Sequence, residues 1–76
     1  MSRLPVLQAT DLLKALNKAG FKAVRQRGSH VRLRHDDGRV VTVPSHQGQD
    51  IGRGLLRKIL RDAELSPDDL RELLDE

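Results

Sequence analysis

Residues 30–35 read HVRLRH, with an apolar side chain at alternate positions, and Asp37-Gly38 follows two residues later. A period of two is the mark of a strand with one dry face and one wet face. Asp-Gly after such a run signals a hairpin. Val31 and Leu33 must therefore face a core, and His30, Arg32 and Arg34 share the opposite face. Arg39 to Val43 supplies the returning strand, ended by Pro44. Upstream, Lys22 to Arg27 reads as a further short strand. If it pairs alongside, Arg25 and Arg27 join the wet face. The three strands make an antiparallel sheet that is buried on one side only.

The flanking segments read as helices. Thr10 can cap a first helix running to Ala19, and Asp11 suits the positive end of its dipole. Leu12, Leu13, Leu16 and Ala19 form its apolar stripe, and Gly20 is a left-handed stop. Phe21, the only aromatic residue of the Phe/Tyr/Trp class, is expected in the core. A loop over residues 45–53 precedes a second helix from about Gly54 to Ala63. Its expected buried face is Leu55, Leu56, Ile59, Leu60 and Ala63. Arg53, Arg57 and Arg61 fall four apart along one side. Ser66-Pro67-Asp68-Asp69 is a strong start for a short last helix that buries Leu70, Leu73 and Leu74. The order is α-β-β-β-α with a further short α. The expected fold is a two-layer α+β domain over residues 1–76, with a three-stranded antiparallel sheet and helices on one face. Double-stranded-RNA-binding domains share this order, a likeness of fold that does not by itself give function.

The chain has 76 residues and no cysteine. Disulfide frameworks and thiolate metal sites are thereby excluded. No apolar run approaches the roughly 18 residues that span a membrane, and the start, MSRLPVLQAT, lacks the stretch of a secretory signal. The expectation is a cytoplasmic protein with no membrane partner. Net charge is +3, but residues 1–61 carry 13 Lys/Arg against 4 Asp/Glu (+9), while residues 62–76 carry 1 against 7 (−6). A basic body points to a polyanion, most simply nucleic acid.

The stretch RQRGSHVRLRH, residues 25–35, concentrates that charge beside a histidine. Arginine can hold a phosphate through two parallel hydrogen bonds. It can also stabilise charge that grows in a transition state. Histidine gives or takes a proton near neutral pH. RNA carries its own nucleophile, the 2′-hydroxyl, so one proton-transfer residue among cations could suffice to cleave it. The competing reading of His30 is a surface or turn residue beside Gly28-Ser29, with Gly28 supplying a positive φ. His35, five residues on, faces the other way, which argues against a two-histidine metal site. His46 could approach the phosphate site or simply lie on the surface, and Asp36 and Asp37 belong to the turn. Arg3 stands outside this surface.

Four segments in order resemble the HicA family of toxin ribonucleases: LLKALNKAGF (12–21), RQRGSHVRLRH (25–35), VTVPSH (41–46) and GLLRKILRDAEL (54–65). The resemblance implies a double-stranded-RNA-binding-like fold that cleaves mRNA and is held inactive by a HicB-type antitoxin. It implies that His30 is the functional histidine, with Gly28 and Ser29 shaping its backbone. No cofactor and no metal are expected. His46 matches a second histidine position of the family, without an assigned role. The family usually has glycine then threonine at the start of the second helix; here Leu55 follows Gly54, so the cap moves to Asp50 or is a glycine. The RNA contacts expected are Arg25, Arg27, Gly28, Ser29, Arg32 and Arg34, with Arg53, Arg57, Lys58 and Arg61 on the second helix. A non-catalytic double-stranded-RNA-binding module using that helix is the alternative. Multiple-turnover cleavage separates the two.

Overall fold

The computed structural model describes residues 6–46 and 48–75, and Arg3 lies outside them. The elements are β1 (Leu7–Gln8), α1 (Ala9–Lys18), β2 (Phe21–Arg27), β3 (His30–His35), β4 (Val40–Pro44), β5 (Asp50–Ile51), α2 (Arg53–Ala63) and α3 (Pro67–Leu74). Strands β2, β3 and β4 form an antiparallel sheet in that order, and β1 pairs with β5 as a separate ribbon. The fold is the expected two-layer α+β arrangement. Val31, Leu33, Val41 and Val43 line the inner sheet face. Leu12 and Leu16 of α1 and Leu56, Ile59 and Leu60 of α2 are buried with them. Phe21 is fully buried, as expected.

The β1–β5 ribbon has no counterpart in the sequence reading. Each strand has two residues, too few for a periodic signal. Its register sets Leu7 opposite Ile51, both buried, and so ties the entry of α1 to the entry of α2. The ribbon also moves the start of α1. Gln8, not Thr10, is the N-cap, because β1 hands the chain directly into the helix at Ala9. The Asp11 carboxylate accepts the Gln8 backbone N–H at 3.4 Å. At α2 the N-cap is Gly52, with no side-chain cap. Leu55 is 38% exposed rather than buried. One residue is about 100° of helix rotation, which sets Leu55 at the margin of the Leu56–Ile59–Leu60–Ala63 stripe. Ser66 caps α3 as expected: Ser66 Oγ accepts Asp69 N–H at 3.0 Å, and Asp69 accepts Ser66 N–H at 2.8 Å. Leu70 is fully buried, and Lys18 Nζ donates to Leu73 O at 2.9 Å, so α3 is joined to α1.

The β3–β4 turn closes the sheet at one end. Gly38 N–H donates to His35 O and His35 N–H to Arg39 O, both at 2.9 Å, with Gly38 at φ +99°. This is a turn followed by a left-handed residue, the usual three-residue hairpin. Arg39 is its anchor. Its guanidinium lies 5.0 Å from the Phe21 ring centroid, donates to Ala63 O at the end of α2, and grips Asp37 through Nε at 2.8 and 3.0 Å. His35 meets Phe21 edge-on at 5.2 Å. A Cβ at Gly20 would lie 2.7 Å from His35 Nε2, and Gly20 has φ +103°, so any other residue there is strained and displaces the His35 ring.

The side-chain hydrogen bond from Arg39 holds the Asp37 carboxyl below its ordinary pKa, helped by the Arg39 backbone N–H. A folded pKa below the unfolded one contributes stability above the unfolded value and loses it as pH falls through the folded one. Asp69 behaves alike, chiefly through the Ser66 backbone N–H. Urea melts across the acid range should therefore show stability falling below the ordinary carboxylate pKa. Asp37→Asn should flatten part of that slope. An unchanged slope would mean the Asp37–Arg39 contact does not form in solution.

Candidate functional site

Among the described residues no helix covers the outer face of the sheet, and the composition of that face follows from one irregularity. Phe21, Arg25 and Arg27 all occupy odd positions of β2, so strict alternation would turn both arginines toward the core with Phe21. The register prevents this. Ala23 pairs with Leu33 while Arg25 pairs with Arg32, so Val24 is an extra residue, a β-bulge. Val24 is 58% exposed. Beyond the bulge the alternation is reversed: Arg25 joins Arg32, Arg27 joins His30, and Gln26, opposite Val31, takes the other side of this edge strand while staying exposed. Lys22, before the bulge, already lies outward opposite Arg34. On the other side of β3, Pro44, Thr42 and Val40 oppose His30, Arg32 and Arg34.

The outer face is therefore a continuous basic surface of Lys22, Arg25, Arg27, Arg32 and Arg34 around His30, and the register brings no acidic residue to it. Arg25, Arg27, His30, Arg32 and Thr42 line a shallow depression of about 160 Å³. Arg34 lies further along the strand. The charge of this face needs counterions or a polyanion, and its guanidinium groups can meet phosphate oxygens in pairs.

His30 opens β3 directly after the β2–β3 turn. Gly28, at φ +58°, is the first central residue of a two-residue turn closed by the Arg27–His30 pair. A glycine there matches a type II′ hairpin. Ser29 ties this turn to the segment after β4. Its carbonyl accepts Ser45 N–H, and its Oγ lies 3.3 Å from His46 Nε2 in a hydrogen bond. The GSH and PSH segments, sixteen residues apart in numbering from His30 to His46, thus meet at one end of the sheet.

The second basic set is not brought to this face. Arg53, Arg57, Lys58 and Arg61 are exposed on α2, whose apolar side packs over Val41 and Val43 from the inner side. Lys58 pairs with Asp62 at 3.0 Å. Lys22 and Thr42 were not singled out by the sequence. The bulge hides the periodicity that would have placed Lys22. Thr42 is legible only once the β3–β4 register is known.

Residues 9–65 match the family model described as the HicA toxin of bacterial toxin–antitoxin. No curated protein matches the chain. Among the described residues no helix is long and apolar enough to cross a membrane.

The bulge makes a direct prediction. Val24→Ala removes only exposed surface and should change stability by less than about 1 kcal/mol. Deleting Val24 should cost several times more, because Phe21 or Arg25 and Arg27 must then turn to the wrong face. Chemical denaturation of the two variants measures this. Equal, small effects would show that the register does not depend on Val24.

Proposed function

The chain belongs to the HicA toxin family of bacterial toxin–antitoxin systems, and from that premise we propose that it is an endoribonuclease that cleaves mRNA at His30. The observation that supports this most is the exposed His30 on a face shared with Arg25, Arg27 and Arg32. The RNA strand lies across the outer sheet face, its phosphates held by these arginines and by Arg34. Gly28 and Ser29 form the tight turn that presents His30. His30 takes the proton of the 2′-hydroxyl. The 2′ oxygen bonds to the adjacent phosphorus and the bond from phosphorus to the 5′ oxygen breaks, leaving a 2′,3′-cyclic phosphate. The departing 5′ oxygen takes a proton from water, and the hydroxide left behind takes back the proton held by His30, which restores the neutral imidazole. The guanidinium groups stabilise the negative charge that builds on the phosphoryl oxygens. The scheme requires no cofactor and no metal, and its substrate places it in the cytoplasm.

Arg53, Arg57, Lys58 and Arg61 make a second basic surface, on the helix layer. It suits the phosphates of a longer or structured RNA, but it contains no histidine. A site on an open face is silenced most simply by covering it. We assign that role to a HicB-type antitoxin that competes with RNA for the outer sheet face.

His30→Ala should abolish growth arrest on induction and lower RNA cleavage by about 10²-fold or more, with an unchanged melting temperature. Full cleavage by a folded alanine variant would reject His30 as the catalytic group. RNA binding by His30→Ala should weaken with salt. About four phosphate contacts on a single strand give a slope of roughly −3 in log K against log[salt]. Arg32→Gln with Arg34→Gln should make the slope shallower. A slope near zero would reject the electrostatic account.

A further inference from the structure

Leu55 is an apolar side chain that α2 leaves 38% exposed, although the other apolar residues of the helix, Leu56, Ile59, Leu60 and Ala63, are buried. It is not isolated. Leu55, Pro44 and His46 line one small depression of about 140 Å³, with Gln49 and Asp50 at the same site. Two of these residues connect it to His30. Pro44 is the direct cross-strand partner of His30, and His46 is bonded to Ser29, the residue before His30. An apolar ledge with a polar rim thus lies beside the proposed reaction centre.

We propose that this ledge binds the nucleobase next to the scissile phosphate, and that it favours bases carrying an exocyclic amino group over uracil. The inference rests on the ribonuclease reading above. A single-stranded substrate normally stacks its bases on aromatic side chains. This chain has no Trp or Tyr, and its one Phe is fully buried. At this ledge the flat surfaces open to a base are the Pro44 and His46 rings, with the Leu55 side chain beside them. The hydrogen bond between Ser29 Oγ and His46 Nε2 orients the His46 ring toward the turn that presents His30. The selectivity of the ledge comes from Asp50. An ionised carboxylate only accepts hydrogen bonds. It pairs with the amino group of cytosine or adenine, and doubly with guanine through N1–H and the 2-amino group. Uracil offers a single N3–H between two carbonyl oxygens, which the carboxylate repels. Gln49 can donate or accept and does not select. Asp50 also explains how a basic site avoids holding phosphate here: the basic face takes the backbone and the ledge takes the base.

The test is to sequence the ends produced when wild-type protein cleaves a randomised RNA pool. In parallel, the RNA retained by His30→Ala from the same pool is sequenced. Uracil should be depleted about tenfold at one position beside the cut, and at one position among the bound sequences. Asp50→Asn, whose amide can donate to a carbonyl, should remove the depletion. Leu55→Ala should raise KM by about threefold or more whatever the base, with kcat retained. Thermal melts accompany both variants, and Leu55→Ala carries the test if Asp50→Asn does not fold. A uniform base profile in the wild type, a depletion that survives Asp50→Asn, or an unchanged KM in Leu55→Ala would overturn the subsite while leaving the ribonuclease intact. A wild type that cleaves no RNA, with a His30→Ala variant that binds none, would reject the ribonuclease reading and the subsite with it.

Discussion

Phe21 and Arg25 lie four residues apart on one strand, and an unbroken strand would point them the same way. One is the fully buried centre of the core and the other belongs in solvent. The extra residue at Val24 resolves the conflict, and the outer face depends on it. It reverses the alternation once, so that the first half of β2 obeys the core and the second half obeys the site. Bulges often sit where a side chain must be re-aimed. Here two arginines are turned to stand beside Arg32 and His30. The bulge, with Lys22, Arg25 and Arg27 on the same edge strand, also discourages pairing with another sheet.

The two ends of the sheet have different tasks. At one end Arg39 spans Phe21, Asp37 and Ala63 O, and His35 fills the space that Gly20 leaves open. That end ties the sheet to the end of α2. At the other end the Gly28–Ser29 turn is held by Ser45 and His46 rather than by the core. The turn is therefore positioned by hydrogen bonds while the face beside it stays open. α3 lies beyond the family match, which ends at residue 65, yet its Leu70 is fully buried. The acidic C-terminal segment thus completes the core while keeping its charge on the helix layer, away from the basic sheet face.

The sheet was legible because Val31 and Leu33 alternate cleanly with His30, Arg32 and Arg34, and because Asp37-Gly38 marks the hairpin. β3 begins and ends where the pattern does. α3 was legible from Ser66-Pro67, a cap whose chemistry is local. Other features were set by contacts distant in sequence. The β1–β5 ribbon depends on Leu7 meeting Ile51, and it moved the α1 cap from Thr10 to Gln8. Leu55 looked like core because its neighbours are, and only the rotation of α2 on the sheet shows otherwise. His46 could be placed near the turn only as one of two possibilities, since its bond to Ser29 joins separate strand ends. The bulge was the least visible feature: Arg25 and Arg27 could be imagined on the wet face, but strict periodicity alone would have buried them.

The proposed function requires RNA to engage the outer sheet face around His30 and not the α2 stripe. Nuclear magnetic resonance of the wild-type protein, titrated with a short RNA whose 2′-hydroxyls are methylated to block cleavage, tests it directly. Shifts of the His30 imidazole and of the Arg25, Arg27 and Arg32 guanidinium signals are expected, with Arg57 and Arg61 little changed. Shifts confined to Arg53, Arg57 and Arg61, with His30 unmoved, would contradict it.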